Sequence, residues 1–524
     1  MLALRRLSRP GGRFLRASLR ARGRGKGQQQ QHDGDAPKSG PQVRSFPLCE
    51  DELLPDRSSC VGERCCCRIL MPTPAKRESS RKKQANRKAS PAASGKRPGA
   101  NHGAQSRLET PKIGKSQSAI PNAIRITRRA ADRLRAGHVW VYRSDVEEWP
   151  AEPDQIAAGL VPVADHRGAP LGTGLYSPAS EIAVRLVSAD LISGEAAWLD
   201  LLRSRLRAAM VRRVPLLDAD NNACRLVFSE ADELPGITAD QYAGLVIVQL
   251  RHKALDNEAT RAAVTETLRN ALDPETILER EDPRIRELEQ LSVPPSSTLF
   301  ARNPATPATK TAFRLNGLQF HFDATSGQKT GAFLDQRENY AATARYATGE
   351  ALDVCTYQGG FALHLARVCP RVTGIDVSRA ALEVAEQNLA ANRDVLQDSV
   401  VDWVEADAFA LLRDWSDAGT VYDTIVLDPP AFAKTKRAVE GALRGYRELN
   451  LRALKMLRPG GRLITCSCSH HVSLADFMET LRAAAGDARR RVRLLEARGA
   501  SPDHPVILNI PETEYLKCVI LEAE

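Results

Sequence analysis

LDVCTYQGGFALHLA, residues Leu352 to Ala366, is the stretch that decides the fold. Its opening is a short apolar run of the kind buried in a parallel sheet. A glycine pair then makes a tight turn, and the apolar spacing changes to that of a helix. Working outward, VTGIDVS (Val372 to Ser378) reads as a second strand ending in an acid. YDTIVLDPPAFAK (Tyr422 to Lys434) and GGRLITCSCSH (Gly460 to His470) read as two more strands, each ending in reactive groups. Strands alternating with helices build a mostly parallel sheet, and such sheets bind ligands at the carboxyl ends of their strands. Every polar group in these stretches sits at such an end. The expected fold is therefore α/β, with a nucleotide-type cofactor site and a reaction centre beside it.

The first turn departs from the dinucleotide fingerprint G-x-G-x-x-G. Cys355 stands at the first glycine position and only Gly359 and Gly360 remain, so a pyrophosphate cradle is poorly supported. A class I methyltransferase turn fits better, because S-adenosylmethionine (SAM) carries no phosphate and needs room for its amino-acid end. Asp376 falls 23 residues after Asp353, at the end of the second strand, where a carboxylate accepts both ribose hydroxyls. EADAFALL (Glu405 to Leu412) places Asp407 after a third strand, in reach of the adenine amino group. Each acid alone could be a helix N-cap, but the ordered set at consecutive strand ends is far more specific. Tyr357, Val377 and Ala408 complete this side of the predicted pocket. Upstream, SGQKTGAFLDQRENY (Ser326 to Tyr340) crowds Asp335, Gln336, Arg337 and Asn339 beside Phe333 and Leu334. It reads as a site-facing segment opening a helix, with surface ion pairing as the competing reading; Thr330, Phe333, Asp335 and Gln336 are assigned to the cofactor.

Asp428-Pro429-Pro430 comes next. Two prolines fix φ and remove backbone donors, so the turn is rigid and its carboxylate, also counted in the cofactor pocket, points one way. Such turns commonly face a nucleobase amide or amine, and a mere strand terminator would not require Asp. TCSCS (Thr465 to Ser469) then supplies Cys466 and Cys468. Alternation puts both on one side of the sheet, so only one is expected at the strand tip in the cleft. A cytosine carbon is a poor nucleophile, and methylating C5 requires a thiolate to add to C6 first. It also requires a group that protonates or hydrogen-bonds N3, the role given to Asp428.

At 524 residues the chain is long enough for two or three domains. Its net charge of +10 is unevenly placed. Met1 to Ser118 holds 26 Lys and Arg against 9 Asp and Glu, so the body carries about −7 and a polyanion must meet a local basic patch. That tail is poor in aromatics and rich in Arg, Ser, Gly and Gln, and is expected to be disordered. Its first 25 residues hold eight Arg and no acid, superficially like a transit peptide. A basic tail that touches RNA, or an upstream start codon with Met71 as the true beginning, are the preferred readings. No apolar run approaches the ~20 residues of a membrane helix, so no membrane is expected. Five of the 11 cysteines lie in the tail without convincing zinc spacing and the rest are scattered, which favours a reducing compartment and no metal.

Ordered sequence begins near Ile120. IRITRRAADRLRAGHVWVYRSDVEE (Ile124 to Glu148) offers a strand, a basic helix and an aromatic strand, and Val161 to Ser188 continues as short strands: a small β-barrel. Arg129 and His138 on or beside its helix are RNA-contact candidates, against a plain solvated face. Glu195 to Arg213 reads as a connecting helix, Arg225 to Leu250 as a hairpin, Asn257 to Leu272 as a helix, and strands resume near Thr276 and from Phe313 to Phe322. The acid-rich loop Glu230, Asp232, Glu233 reads as a solvated turn rather than a metal site. Near the cleft mouth, RGYRELN (Arg444 to Asn450) follows DPPAFAK. Lys434 and Arg444 are read as cations for phosphate and Tyr446 as a ring for an unstacked base.

LYSPAS (Leu175 to Ser180), LPGITAD (Leu234 to Asp240), KTGAFLDQREN (Lys329 to Asn339), YQGGFA (Tyr357 to Ala362), DPPAF, RGYRELN, SCS (Ser467 to Ser469) and DHPV (Asp503 to Val506) carry a resemblance. From about Ile124 to the C-terminus the chain resembles the bacterial large-subunit rRNA cytosine-C5 methyltransferases of the RlmI type, which begin with an RNA-binding PUA domain. The resemblance implies a Rossmann-like class I methyltransferase domain at 323–524, preceded by a PUA-like barrel at 119–192 and an α+β middle domain at 193–322, behind the tail at 1–118. It implies SAM as donor, cytosine in RNA (23S ribosomal RNA first) as acceptor, Cys468 as nucleophile and Cys466 as its packing neighbour. Cytoplasmic location is expected, with a homodimer left as an option. The rivals are an exocyclic-amine RNA methyltransferase, which needs no thiol, and a non-catalytic PUA-type RNA-binding protein.

Overall fold

The structure, a computed structural model, describes residues 120–280, 283–291, 297–325 and 332–524; the expected tail lies outside the described residues. The first part of the chain forms one six-stranded sheet. Its strands are β1 (Ile124–Ile126), β2 (Trp140–Val141), β3 (Val146–Glu148), β4 (Gly159–Ala164), β5 (Pro170–Tyr176) and β6 (Val184–Ser188), in the order β2-β6-β5-β4-β1-β3. Helix α1 (Arg128–Arg135) starts where the Thr127 hydroxyl accepts from the Ala130 amide. It turns Ala130, Ala131 and Leu134 onto Ile124, Val163, Tyr176 and Val184, leaving its arginines outside.

Helix α2 (Glu195–Arg213) leads into a five-stranded sheet made by β7 (Ala223–Phe228), β8 (Ile237–Tyr242), β9 (Leu245–Leu250), β10 (Thr276–Glu279) and β11 (Ser297–Ala301), ordered β11-β10-β9-β8-β7. Helices α3 (Glu258–Leu272), capped by Asn257, and α4 (Pro283–Leu288) accompany it. The expected hairpin over 225–250 is in fact three strands, because Leu234-Pro235-Gly236 breaks the alternation before β8. The acid-rich loop is a second correction. Asp232 is buried and accepts both guanidinium arms of Arg213 at 2.7 Å, so this acid belongs to an internal ion pair, while Glu233 stays exposed as expected of a solvated turn.

Strands β12 (Lys310–Leu315) and β13 (Leu318–Asp323) make a hairpin around Asn316-Gly317, both with positive φ. Its aromatic face needs cover on both sides. Phe322 stacks on Tyr242 with ring centroids 4.0 Å apart, and Phe320 stacks on His364 at 6.2 Å. The hydrophobic core therefore runs from the middle sheet through this hairpin into the last part of the chain without a break.

That last part is α5 (Arg337–Tyr346), β14 (Glu350–Val354), α6 (Gly360–Leu365), β15 (Arg371–Asp376), α7 (Arg379–Ala391), β16 (Val400–Glu405), α8 (Ala408–Asp417), β17 (Tyr422–Leu427), α9 (Val439–Met456), β18 (Leu457–Ser467), α10 (Leu474–Asp487), β19 (Val492–Arg498) and β20 (Lys517–Ala523). The seven strands are ordered β16-β15-β14-β17-β18-β20-β19, parallel except for β20, which runs antiparallel to both neighbours. Chain order reverses between β14 and β17, the crevice where such sheets take ligands. Cα partners Val354 with Ile375, Val354 with Leu427 and Leu427 with Thr465 show that four strand ends stand level around that crevice.

Candidate active site

The turn after β14 is wound tightly: Cys355, Tyr357 and Gly359 all have positive φ (65°, 51° and 84°). Two of these are not glycine, a conformation that costs about 1 kcal/mol each and persists only when neighbours hold it. Asp353 and Asp376 do the holding. Asp353 accepts from the Thr356 hydroxyl (2.5 Å) and the Ala362 amide (2.9 Å). Asp376 accepts from the amides of Tyr357 and Ser378, both at 2.9 Å. Gly360 is required for another reason: a Cβ there would lie 2.5 Å from the Tyr340 hydroxyl. The turn brings Tyr357 edge-on to Phe333 (5.2 Å), and Phe333 and Val377 present exposed apolar surface at 42% and 72%. Asp407 is the N-cap of α8, accepting from the Ala410 amide at 2.9 Å, with Ala408 beside it. Thr330 lies outside the described residues.

Three carboxyl groups gather around these strand ends closely enough to act on one another electrostatically. Asp428, half-buried after β17, is pushed up to about 8 by burial first and then by the charges of Asp335 and Asp353, with a Gln336 hydrogen bond opposing. Asp353 is pushed up to about 7, again by burial first, with Asp376 adding. The Asp335 carboxylate accepts from the Tyr515 hydroxyl at 2.5 Å with one oxygen, and its other oxygen is buried without a protein partner, as is one oxygen of Asp353. Acids crowded at this density, with orphaned oxygens, suit a cationic ligand: the ammonium and sulfonium of SAM fit the donor chemistry, and the exposed Phe333 and Val377 suit its apolar parts.

The Gln336 assignment needs correction. Gln336 is 2% exposed; its amide donates to Asp428 at 3.0 Å and accepts from Asn339 at 2.6 Å, and Arg498 donates to Asn339 at 2.9 Å. Gln336 thus orients Asp428 from behind rather than facing the cofactor.

At the next strand end the two cysteines part. Cys466 is fully buried opposite Cys518, and burial, followed by Cys518, pushes its thiol well above the ordinary range. Cys468 lies one residue past β18, half-buried, with its Sγ 3.8 Å from the Pro429 carbonyl oxygen. The loop that carries it is fastened by Ser469, whose Oγ accepts from the Ala433 amide (3.1 Å) and pairs with the Tyr446 hydroxyl (2.9 Å). Tyr446 is therefore a correction: it is fully buried against Phe432 and Phe477 and offers no ring to a base. Phe432, in the loop after β17, and Phe477, on α10, supply the apolar slot that takes it in.

His138 is the other correction. It is 8% exposed, takes the Trp140 amide on Nδ1 (3.1 Å) and meets Glu512 through Nε2 (3.2 Å), so it ties the first sheet to the end of the chain instead of facing RNA. Arg129 and Lys434 remain exposed, and Arg444 is exposed with an ion pair to Glu440 at 2.6 Å. Sequence reasoning also passed over Lys517, whose Nζ donates to the Ser469 and Tyr515 carbonyls at 2.8 and 2.7 Å. The signal was a lone cation opening the apolar strand KCVILEA.

Comparisons with known proteins agree with this geometry. Residues 124–189 match the PUA-like domain family, and residues 231–509 match the S-adenosylmethionine-dependent methyltransferase family. The ribosomal RNA large subunit methyltransferase I of Shewanella denitrificans is 37% identical over 390 residues, covering 74% of this chain and 96% of that protein. Its counterpart from Klebsiella pneumoniae is 35% identical over 406 residues, covering 77% and 98%. Among solved structures, a candidate methyltransferase in complex with SAH shares the fold at TM-score 0.64 and 18% identity, over 76% of this chain and 99% of that one. A candidate SAM-dependent methyltransferase from Streptococcus mutans does so at TM-score 0.63. Among the described residues no helix is long and apolar enough to cross a membrane. The chain is a SAM-dependent methyltransferase with a PUA-like domain, and it belongs to the ribosomal RNA large subunit methyltransferase I family.

Proposed function

We propose that this chain methylates C5 of a cytosine in large-subunit ribosomal RNA through a covalent adduct at Cys468. The observation that carries the reading is the pairing, across adjacent strand ends, of a half-buried cysteine with a carboxyl group held near 8 by burial. SAM supplies an electrophilic methyl group. Asp428, protonated at neutral pH, donates its proton in a hydrogen bond to cytosine N3. The Cys468 thiolate adds to C6, the C5–C6 double bond gives up its π pair, and C5 becomes the nucleophile that takes the methyl group. A base then removes the C5 proton, the electrons return to C5–C6 and the thiolate leaves. Asp428 can donate only while protonated, so activity is expected to fall as pH rises through about 8.

The ribosomal substrate follows from the names of the relatives and from the PUA-like domain, with Arg129, Lys434 and Arg444 as exposed cations for phosphate. A chain acting there is expected in the cytoplasm. The homodimer option gains no support from the relatives or from the described surfaces. The test uses RNA carrying 5-fluorocytosine at the target. Fluorine cannot leave C5 as a proton does, so the adduct persists as a protein–RNA band on a denaturing gel. Wild type and Cys466→Ala should form the band and Cys468→Ala should not. Normal methylation by Cys468→Ala would replace this reading with transfer to the exocyclic amine.

A further inference from the structure

Lysine at a buried position normally extends its ammonium to water. Lys517 does not: it is 4% exposed and keeps Nζ between the carbonyls of Ser469 and Tyr515. An ammonium has three donors, and two neutral carbonyls satisfy two of them without touching the charge. That charge acts on Cys468, the residue before Ser469. Burial is the largest influence on Lys517 and pushes its ammonium down to about 8, while Cys468 and then Glu514 oppose.

Among the described residues, the titratable groups beside the pair carry no positive charge of their own at neutral pH. Tyr446 on α9 and Tyr515 before β20 are both raised, chiefly by burial, and stay neutral. His470, in the loop itself, is lowered by burial, by His471 and also by Lys517, with Glu512 opposing. Asp428 stands behind Pro429, and Glu514 is exposed.

We infer that Lys517 is a positioning residue for the reaction: it fixes the Cys468–Ser469 loop through the Ser469 carbonyl and supplies the positive charge that holds Cys468 as a thiolate. The inference rests on Cys468 as nucleophile, but its test needs no RNA. Alkylation of Cys468 by iodoacetamide, in which the thiolate displaces iodide, is followed by mass spectrometry of its peptide as a function of pH. Removing the cation in Lys517→Gln should move the midpoint upward by about one pH unit or more, as expected for a thiol that loses a neighbouring cation. Lys517→Arg should stay within about half a unit of wild type. The acidic limb of kcat/KM should move with the midpoint, with KM for RNA unchanged.

A purely structural lysine would slow alkylation at every pH and leave the midpoint in place; that result, or coincident midpoints, overturns the inference. Should Lys517→Gln fail to fold, Lys517→Met, which fills the slot without the charge, is measured instead, and an unmoved midpoint overturns the inference. Absence of a trapped adduct in wild type would refute the nucleophile reading separately, whatever the alkylation midpoints show.

Discussion

The ends of β14 and β15 and the ends of β17 and β18 are two halves of one crevice, built on different plans. At β14 and β15 the supports are local. Asp353 holds residues 356 and 362, and Asp376 holds 357 and 378. At β17 and β18 the supports arrive from far along the chain. Asp428 is oriented by Gln336, 92 residues earlier, and the cysteine loop by Tyr446 and Lys517. The cofactor half is thus a self-contained turn, while the reacting half is assembled only when the whole domain has folded. A local motif can bind; placing a thiol against a carboxyl group to within a fraction of an ångström takes support from several elements.

The widest test of that contrast is at the reacting half. Cys468→Ala is expected to lose essentially all turnover with RNA while keeping its calorimetric affinity for SAM. Cys466→Ala, two residues away, should keep turnover and lose about 1 kcal/mol or less of stability in a denaturant melt. Equal losses of turnover would erase the distinction between strand tip and core. Next in size, Asp376→Ala removes the anchor of the turn and the expected ribose acceptor. SAM affinity by calorimetry should fall about 10- to 100-fold, the range for a lost charge-assisted hydrogen bond.

A finer test addresses long-range support. The Gln336 hydrogen bond favours the ionised form of Asp428. Gln336→Met should therefore raise the Asp428 pKa and move the alkaline limb of kcat/KM upward. A downward move would mean that the amide stabilises the protonated acid. Smallest of all, Tyr446→Phe loses one buried hydroxyl contact to Ser469, worth about 1 kcal/mol in stability. RNA affinity should not change, since the ring faces the core. A large loss of RNA binding would restore the ring to the cleft.

The same contrast explains what was legible in the sequence. The order of strands, the acids at their ends and the glycine turn are carried by contiguous residues, so periodicity and spacing reveal them. Helix α2 could be read to its ends at Glu195 and Arg213 for the same reason. Tyr446 was misread because polar neighbours in RGYRELN look like a surface, whereas its slot is made by Phe432 and Phe477 from other elements. His138 was misread because its partner, Glu512, lies 374 residues away. Asp232 looked solvated until Arg213 arrived from the preceding helix. Lys517 is the sharpest case: its meaning depends on which carbonyls close around it.

The hairpin of β12 and β13 bears on where this protein can be cut. Its aromatic rings are shared between Tyr242 upstream and His364 downstream, and the side chains of Asn388 on α7 and Asn392 just past its end accept from its backbone amides at His321 and Gln319. A gene fragment opening at residue 323 would leave those partners bare to water, a surface that invites aggregation. Middle sheet and catalytic sheet are therefore expected to fold and to be expressed as a single piece. The first sheet has its own core around Ile124, Val163 and Tyr176, yet it too is tied down, by Trp140 to Glu230 and by His138 to Glu512.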